Sequence, residues 1–186
     1  GAPQPAEARV LWDDAKLYIA FTVTDSDLWS DAKPNPWETW RNDSVEVYFD
    51  ALGDGGAAPR PDDCQFRADF LDLAAGAPQS ETNGGERGTG TGWTGWGPAA
   101  AQWAARAVGT ANDAADRDVG FVFEIALDWD SIGAGAAASG AAGTRGGAPP
   151  SPGSAAGFAV AVAGDDAGGE RETFSLPGGV STGAPE

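Results

Sequence analysis

The chain has 186 residues with 28 glycines and 13 prolines, a length that supports one domain with a sizeable core and a composition that favours an all-β or loop-rich fold over a helical bundle. Its formal net charge of −17 opposes nucleic acid and anionic membrane surfaces as partners. It has no histidine and one cysteine, Cys64, which rules out a Ser-His-Asp triad, an internal disulfide and most zinc, copper and thiol chemistry.

Residues 1–7 hold two prolines and no periodicity and read as a linker. Residues 8–12 form a short strand and residues 13–15 a tight connection. Residues 16–24 alternate, with Leu17, Ile19, Phe21 and Val23 on one face, so the two strands make a hairpin. An acid-rich loop follows. Asp25 and Asp27 stand one residue apart, a spacing that lets oxygens converge on a hard cation and that equally suits a solvated turn. After the tryptophans Trp37 and Trp40 comes a strand over 44–50. Val45, Val47 and Phe49 point one way; Ser44, Glu46, Tyr48 and Asp50 point the other.

Residues 51–61 are a Gly/Pro-rich excursion that ends at Asp62 and Asp63. The next strand, 64–71, places Phe66, Ala68 and Phe70 inward and Gln65, Arg67 and Asp69 outward. If it neighbours strand 44–50, Arg67 and Glu46 share a sheet face, either as a stabilising pair or as partners for hydroxyls. Residues 74–101 read as irregular. Within them, Trp93 and Trp96 either cap the core under a long loop or form an exposed aromatic platform. A weak strand covers 102–108 and a strong one 120–128, with Phe121, Phe123, Ile125 and Leu127 on one face. The low-complexity stretch 133–157 reads as a loop insertion. Strands at 158–162 and 172–176 and a tail over 178–186 complete the chain.

About eight short strands with long Gly/Ala/Pro-rich loops, and no convincing helix, predict an antiparallel β-sandwich of jelly-roll type over residues 8–177. No apolar run approaches membrane-span length. The first residue is not methionine, so a processed product or an excised domain is expected.

The segments Lys16–Asp25, Asn35-Pro-Trp37, Asn42-Asp-Ser-Val-Glu-Val-Tyr-Phe-Asp50, Gln65-Phe-Arg67, Phe123-Glu-Ile-Ala-Leu127 and Gly157-Phe158 occur in an order that resembles carbohydrate-binding modules of family 9 and their DOMON-type relatives. The resemblance spans roughly residues 8–176. It implies a β-sandwich that holds a glycan between two tryptophans and is appended to a secreted enzyme acting on plant polysaccharides. The family spacing selects Trp40 as one clamp ring, the Asn-Pro-Trp match selects Trp37, and Glu46 and Arg67 carry over as polar sugar contacts. The position of a family glutamine is held here by Ala161. No tryptophan follows Pro177, which leaves Trp93 and Trp96 to supply the second ring. The resemblance also implies structural calcium, for which Asp25, Asp27, Asp50, Asp62 and Asp63 are the candidates. Haem, bound by some DOMON relatives, lacks its histidine or methionine ligands here.

The expected function is therefore non-catalytic glycan binding by an extracellular or cell-surface module. Two other classes stand beside it. One is an assembly module that meets a protein partner or itself. The other is a glycosidase using Glu46 and Glu124, which needs two carboxylates about 5–9.5 Å apart.

Overall fold

The structure is a computed structural model that describes residues 5–30, 42–69, 84–96, 102–132, 156–165 and 171–175. Two antiparallel sheets face each other. Strands β1 (Ala6–Trp12), β2 (Lys16–Thr24), β7 (Gln102–Val108) and β8 (Gly120–Asp128) form one, in the order β1-β2-β8-β7. Strands β3 (Ser44–Asp50), β4 (Asp63–Asp69), β5 (Gly84–Gly88), β6 (Trp93–Trp96), β9 (Gly157–Asp165) and β10 (Arg171–Ser175) form the other, in the order β10-β9-β3-β4-β5-β6. This is the expected all-β sandwich. One helical turn, 129–132, follows β8.

Alternation carries this architecture. In β2 the buried residues are Leu17, Ile19, Phe21 and Val23, and in β8 Phe121, Phe123, Ile125 and Leu127. Their registers coincide, with Ile19 opposite Ile125 and Phe21 opposite Phe123. From the other sheet come Val45, Val47 and Phe49 of β3, Cys64, Phe66 and Ala68 of β4, and Val160 and Val162 of β9. Each large apolar side chain so buried is worth roughly 1.5–3 kcal/mol. The Phe49 and Trp129 rings meet at 6.0 Å and 57°, joining the six-stranded sheet to the helical turn. Gly120 takes φ 140°, and a Cβ there would lie 1.9 Å from the Val23 carbonyl oxygen, so glycine is what lets β8 start against β2.

Three expectations change. The first strand begins at Ala6, two residues inside the expected linker. Residues 84–88 and 93–96, read as irregular, form the hairpin β5–β6, closed by the Thr89 N–H donating to the Gly92 carbonyl at 2.8 Å. Glycine hid this pair: Gly85 is opposite Trp96 and Gly88 opposite Trp93, so one member of each pair breaks the apolar alternation that marks a strand. Finally, Glu46 lies on β3 and Glu124 on β8, on the outward parity of opposite sheets, so the two carboxylates face away from each other and cannot flank one bond. Residues 133–155 of the expected 133–157 insertion, the tail and Phe70 lie outside the described residues, and Gly157 already begins β9.

One buried acid ties the entry of β3 to its surroundings. Asp43 is fully buried, accepting the Trp29 N–H at Oδ2 and the Asp165 N–H at Oδ1, both at 2.7 Å. Burial, then the neighbouring carboxylates of Asp25 and Asp165, push its carboxyl up to about 9, against the hydrogen bonds that favour ionisation. The folded state thus holds a proton that the unfolded chain releases above 3.8. Stability from this group is full below that value and declines as the pH rises through about 9. Urea unfolding in metal-free buffer from about pH 5 to about pH 9 should show falling stability, with a shallower slope for Asp43→Asn. An unchanged slope in the variant contradicts the assignment.

Candidate functional site

Because β3 is paired on both sides, its outward residues sit between those of β4 and β9. Glu46 is opposite Arg67 on β4 and Ala161 on β9; Tyr48 is opposite Gln65 and Ala159; Ser44 is opposite Asp69 and Ala163. The expected adjacency of Glu46 and Arg67 is therefore present, as a direct cross-strand pair. Glu46 is 5% exposed, Arg67 7% and Gln65 7%, so charged and amide groups here are almost withdrawn from water. Such burial is tolerable only with hydrogen-bond partners.

Glu46 finds them on its own face. Tyr48 Oη donates to Glu46 Oε2. Gln65 Nε2 donates to the same oxygen at 3.2 Å and to Tyr48 Oη at 2.7 Å. The three side chains close a ring between a direct pair (Tyr48–Gln65) and a diagonal one (Glu46–Gln65). On the same parity, Asn42 Nδ2 donates to Asp69 Oδ2 at 2.8 Å, while Ser44 Oγ is sealed with no hydrogen bond. Tyr48, Gln65 and Ser44 were not among the sequence candidates. The available signal was their parity, shared with Glu46 and Arg67.

A second polar group lies at the far end of β3. Asp50 Oδ1 accepts the N–H groups of Leu52 and Gly53 at 3.1 and 2.7 Å, and Asp50 Oδ2 accepts that of Gly55 at 3.0 Å. Oxygens of Asp50, Asp54 and Asp62 lie within 4.8 Å of one another, the group of this kind among the described residues. Asp54 pairs with Arg60. Asp63 Oδ2 accepts the Arg60 N–H at 2.6 Å, and its Oδ1 is sealed without a partner. Burial raises the carboxyls of Asp62 and Asp63; Asp54 and Asp50 add to the first, and Asp50, Asp62 and Asp54 to the second. The loop is pinned to β5 and the turn after it: the Gly90 N–H donates to the Pro59 carbonyl at 2.8 Å, and a Cβ on Gly88 would lie 1.9 Å from the Arg60 oxygen.

The remaining metal candidates are elsewhere. Asp25, buried at the end of β2, accepts the Asp27 N–H at 3.0 Å and bears on Asp43, at the opposite end of β3 from Asp50. Asp54, which joins Asp50 and Asp62, stands in the middle of the Gly/Pro-rich excursion and was not a sequence candidate. Trp93 and Trp96 lie on β6, two strands from β4 in the sheet that carries Glu46. Trp37 and Trp40 lie outside the described residues.

The model of the family described as carbohydrate family 9 binding domain-like matches residues 2–176. A family 9 carbohydrate-binding module from Caldicellulosiruptor kristjanssonii in complex with glucose superposes with a TM-score of 0.58 at 17% identity, over 94% of this chain and 67% of that one. The same organism's module in complex with cellotriose gives 0.55 at 17% identity, over 94% and 66%. Both agree with the fold. Endo-1,4-beta-xylanase A of Thermotoga neapolitana is 39% identical over 66 residues, which is 36% of this chain and 6% of the enzyme. Exoglucanase XynX of Acetivibrio thermocellus is 35% identical over 79 residues, 42% of this chain and 7% of the enzyme. The match to the family model across nearly the whole sandwich is decisive: the chain belongs to the family 9 carbohydrate-binding modules.

Proposed function

We propose that the chain is a non-catalytic module that binds a glycan on the outward face of β3 and β4, with Glu46 and Arg67 as polar contacts and a tryptophan as stacking ring. The observation that carries this reading is the direct register pairing of Glu46 with Arg67 on a face opposite the core. An anionic acceptor beside a cationic donor matches sugar hydroxyls, which both give and take hydrogen bonds. Trp40 or Trp37 supplies the apolar contact, with Trp93 and Trp96 as the candidates for the second ring. Glucose and cellotriose are the first ligands to test, because family members of this fold were solved with them. The module belongs to a larger extracellular or cell-surface hydrolase that degrades plant polysaccharide. The xylanase and exoglucanase relatives support this, since the matched stretch is a small part of each. Among the described residues, no helix is long and apolar enough to cross a membrane.

Tryptophan fluorescence titration with glucose and cellotriose should give a dissociation constant between micromolar and millimolar, about 4–8 kcal/mol. Glu46→Gln and Arg67→Ala should each weaken binding about tenfold or more, with the β-sheet circular dichroism signal retained. Trp40→Ala and Trp37→Ala identify the ring, since the clamp variant abolishes binding. If all four variants bind as the parent does, the site is elsewhere. No glycan response combined with ordered self-association on size exclusion favours an assembly module instead.

We propose also that the acidic loop takes calcium. Asp50, Asp54 and Asp62 would hold it, with Asp63 beside them; these are hard oxygen donors of the kind calcium uses. Two features support the fit: the sealed, partnerless Asp63 Oδ1, and the raised carboxyls of Asp62 and Asp63, which a cation would relieve. When bound, the ion would supply charge neutralisation and lock the loop onto β5. Calcium at a hundred times its dissociation constant should stabilise the fold by about 2.7 kcal/mol, a rise in Tm of roughly 5–10 °C. Asp54→Asn, at an exposed position, should remove that rise while leaving the Tm in chelator little changed. A Tm indifferent to calcium in the parent protein rejects this site.

A further inference from the structure

We infer that Tyr48 and Gln65 are positioning residues that aim Glu46 at the ligand, and that they make one of its oxygens the acceptor for a hydroxyl. The inference rests on the glycan reading of this face and adds to it two residues that the sequence did not single out.

The geometry is specific. Both hydrogen bonds that Glu46 receives fall on Oε2, from Tyr48 Oη and from Gln65 Nε2. Oε2 is thus filled by two donors, while none of the described residues donates to Oε1. A device that served only to bury a carboxylate would spread its donors over both oxygens.

The ring also has a fixed sense. Gln65 has two N–H bonds on Nε2, and both are used, one toward Glu46 and one toward Tyr48. Tyr48 Oη accepts from Gln65, so its own proton goes to Glu46. Nothing in the ring accepts from Glu46. The carboxylate is held as an acceptor, and a ligand group meeting Oε1 must be a donor. Arg67 lies across the strand from Glu46 and offers only donors. The pair thus selects a ligand whose adjacent hydroxyls donate at one point and accept at the next. An ether or deoxy sugar at the Glu46 position loses the first contact.

Tyr48→Phe removes one oxygen from a half-buried ring and leaves its packing in place, so the variant is expected to fold. Calorimetry with cellotriose compares the parent, Tyr48→Phe, Glu46→Gln and the double variant. Tyr48→Phe should weaken cellotriose about tenfold in the parent background and have almost no further effect when Glu46 is already glutamine. A purely structural role predicts a lower Tm with cellotriose affinity unchanged, or equal losses in both backgrounds, and either result overturns the inference. A ligand-free readout keeps the two readings apart. Side-chain amide exchange of Gln65, followed by NMR, should be slow in the parent and fast in Tyr48→Phe and Glu46→Gln. Fast exchange in the parent means that no ring exists, whatever the protein binds. Slow exchange together with no binding of glucose or cellotriose means that the ring exists but the glycan reading fails, and the positioning role with it.

Discussion

The rest of the structure depends on the double pairing of β3. Hydrogen-bonded to β9 on one side and β4 on the other, this strand cannot slip by one residue without exchanging its two faces. That constraint holds Val45, Val47 and Phe49 in the core and puts Ser44, Glu46 and Tyr48 on the opposite face. It also determines their neighbours. β4 presents Gln65 and Arg67 beside them, and β9 presents only alanines: Ala159, Ala161 and Ala163. The acidic groups at Asp43 and Asp50 mark the two ends of the same strand, about 23 Å apart at the usual rise per residue.

Charge is the second organising problem. With 28 acidic side chains and 11 basic ones, ion pairing cannot neutralise the chain. Several buried or crowded acids are handled by another device. Asp43 keeps a proton and accepts two backbone N–H groups. Asp50 accepts three backbone N–H groups from its own loop. Asp118 likewise accepts those of Leu28 and Thr110, both at 2.8 Å, tying the β2–β3 connection to the segment after β7. Backbone dipoles thus do for this acidic sandwich what lysine and arginine do in a more balanced one.

How much of this was legible in the sequence follows from the same physics. The limits of β2, β3 and β8 were readable because large apolar residues alternate without a break. The hairpin β5–β6 was not, because Gly84, Gly85, Gly88, Gly90 and Gly92 suppress any periodicity, and only the pairing with its neighbour strand makes it regular. Glu46 and Arg67 were found because parity and strand adjacency suffice to place them. The link from Gln65 to Glu46 needs more: it is a diagonal contact, and its partners depend on the register between β3 and β4. Asp43 is the clearest failure of local reading. An aspartate in a polar loop before a strand looks solvated, and only the arrival of Asp25 and Asp165 from distant parts of the chain buries it among its own kind.

The contrast between Asp43 and Glu46 bears on function. Both are acids withdrawn from water, one at the entry of β3 and one within it. Asp43 has each oxygen engaged by the backbone and carries its proton to about pH 9, a closed arrangement suited to holding segments together. Glu46 is held by neutral donors on a single oxygen. A lysine or arginine in place of Tyr48 and Gln65 would consume its charge. A pair of backbone amides would consume both oxygens. A phenol and an amide on one side leave the other oxygen without a donor from the described residues. In the proposed site that arrangement serves binding, because an acceptor direction the fold does not fill is one that a ligand hydroxyl can fill.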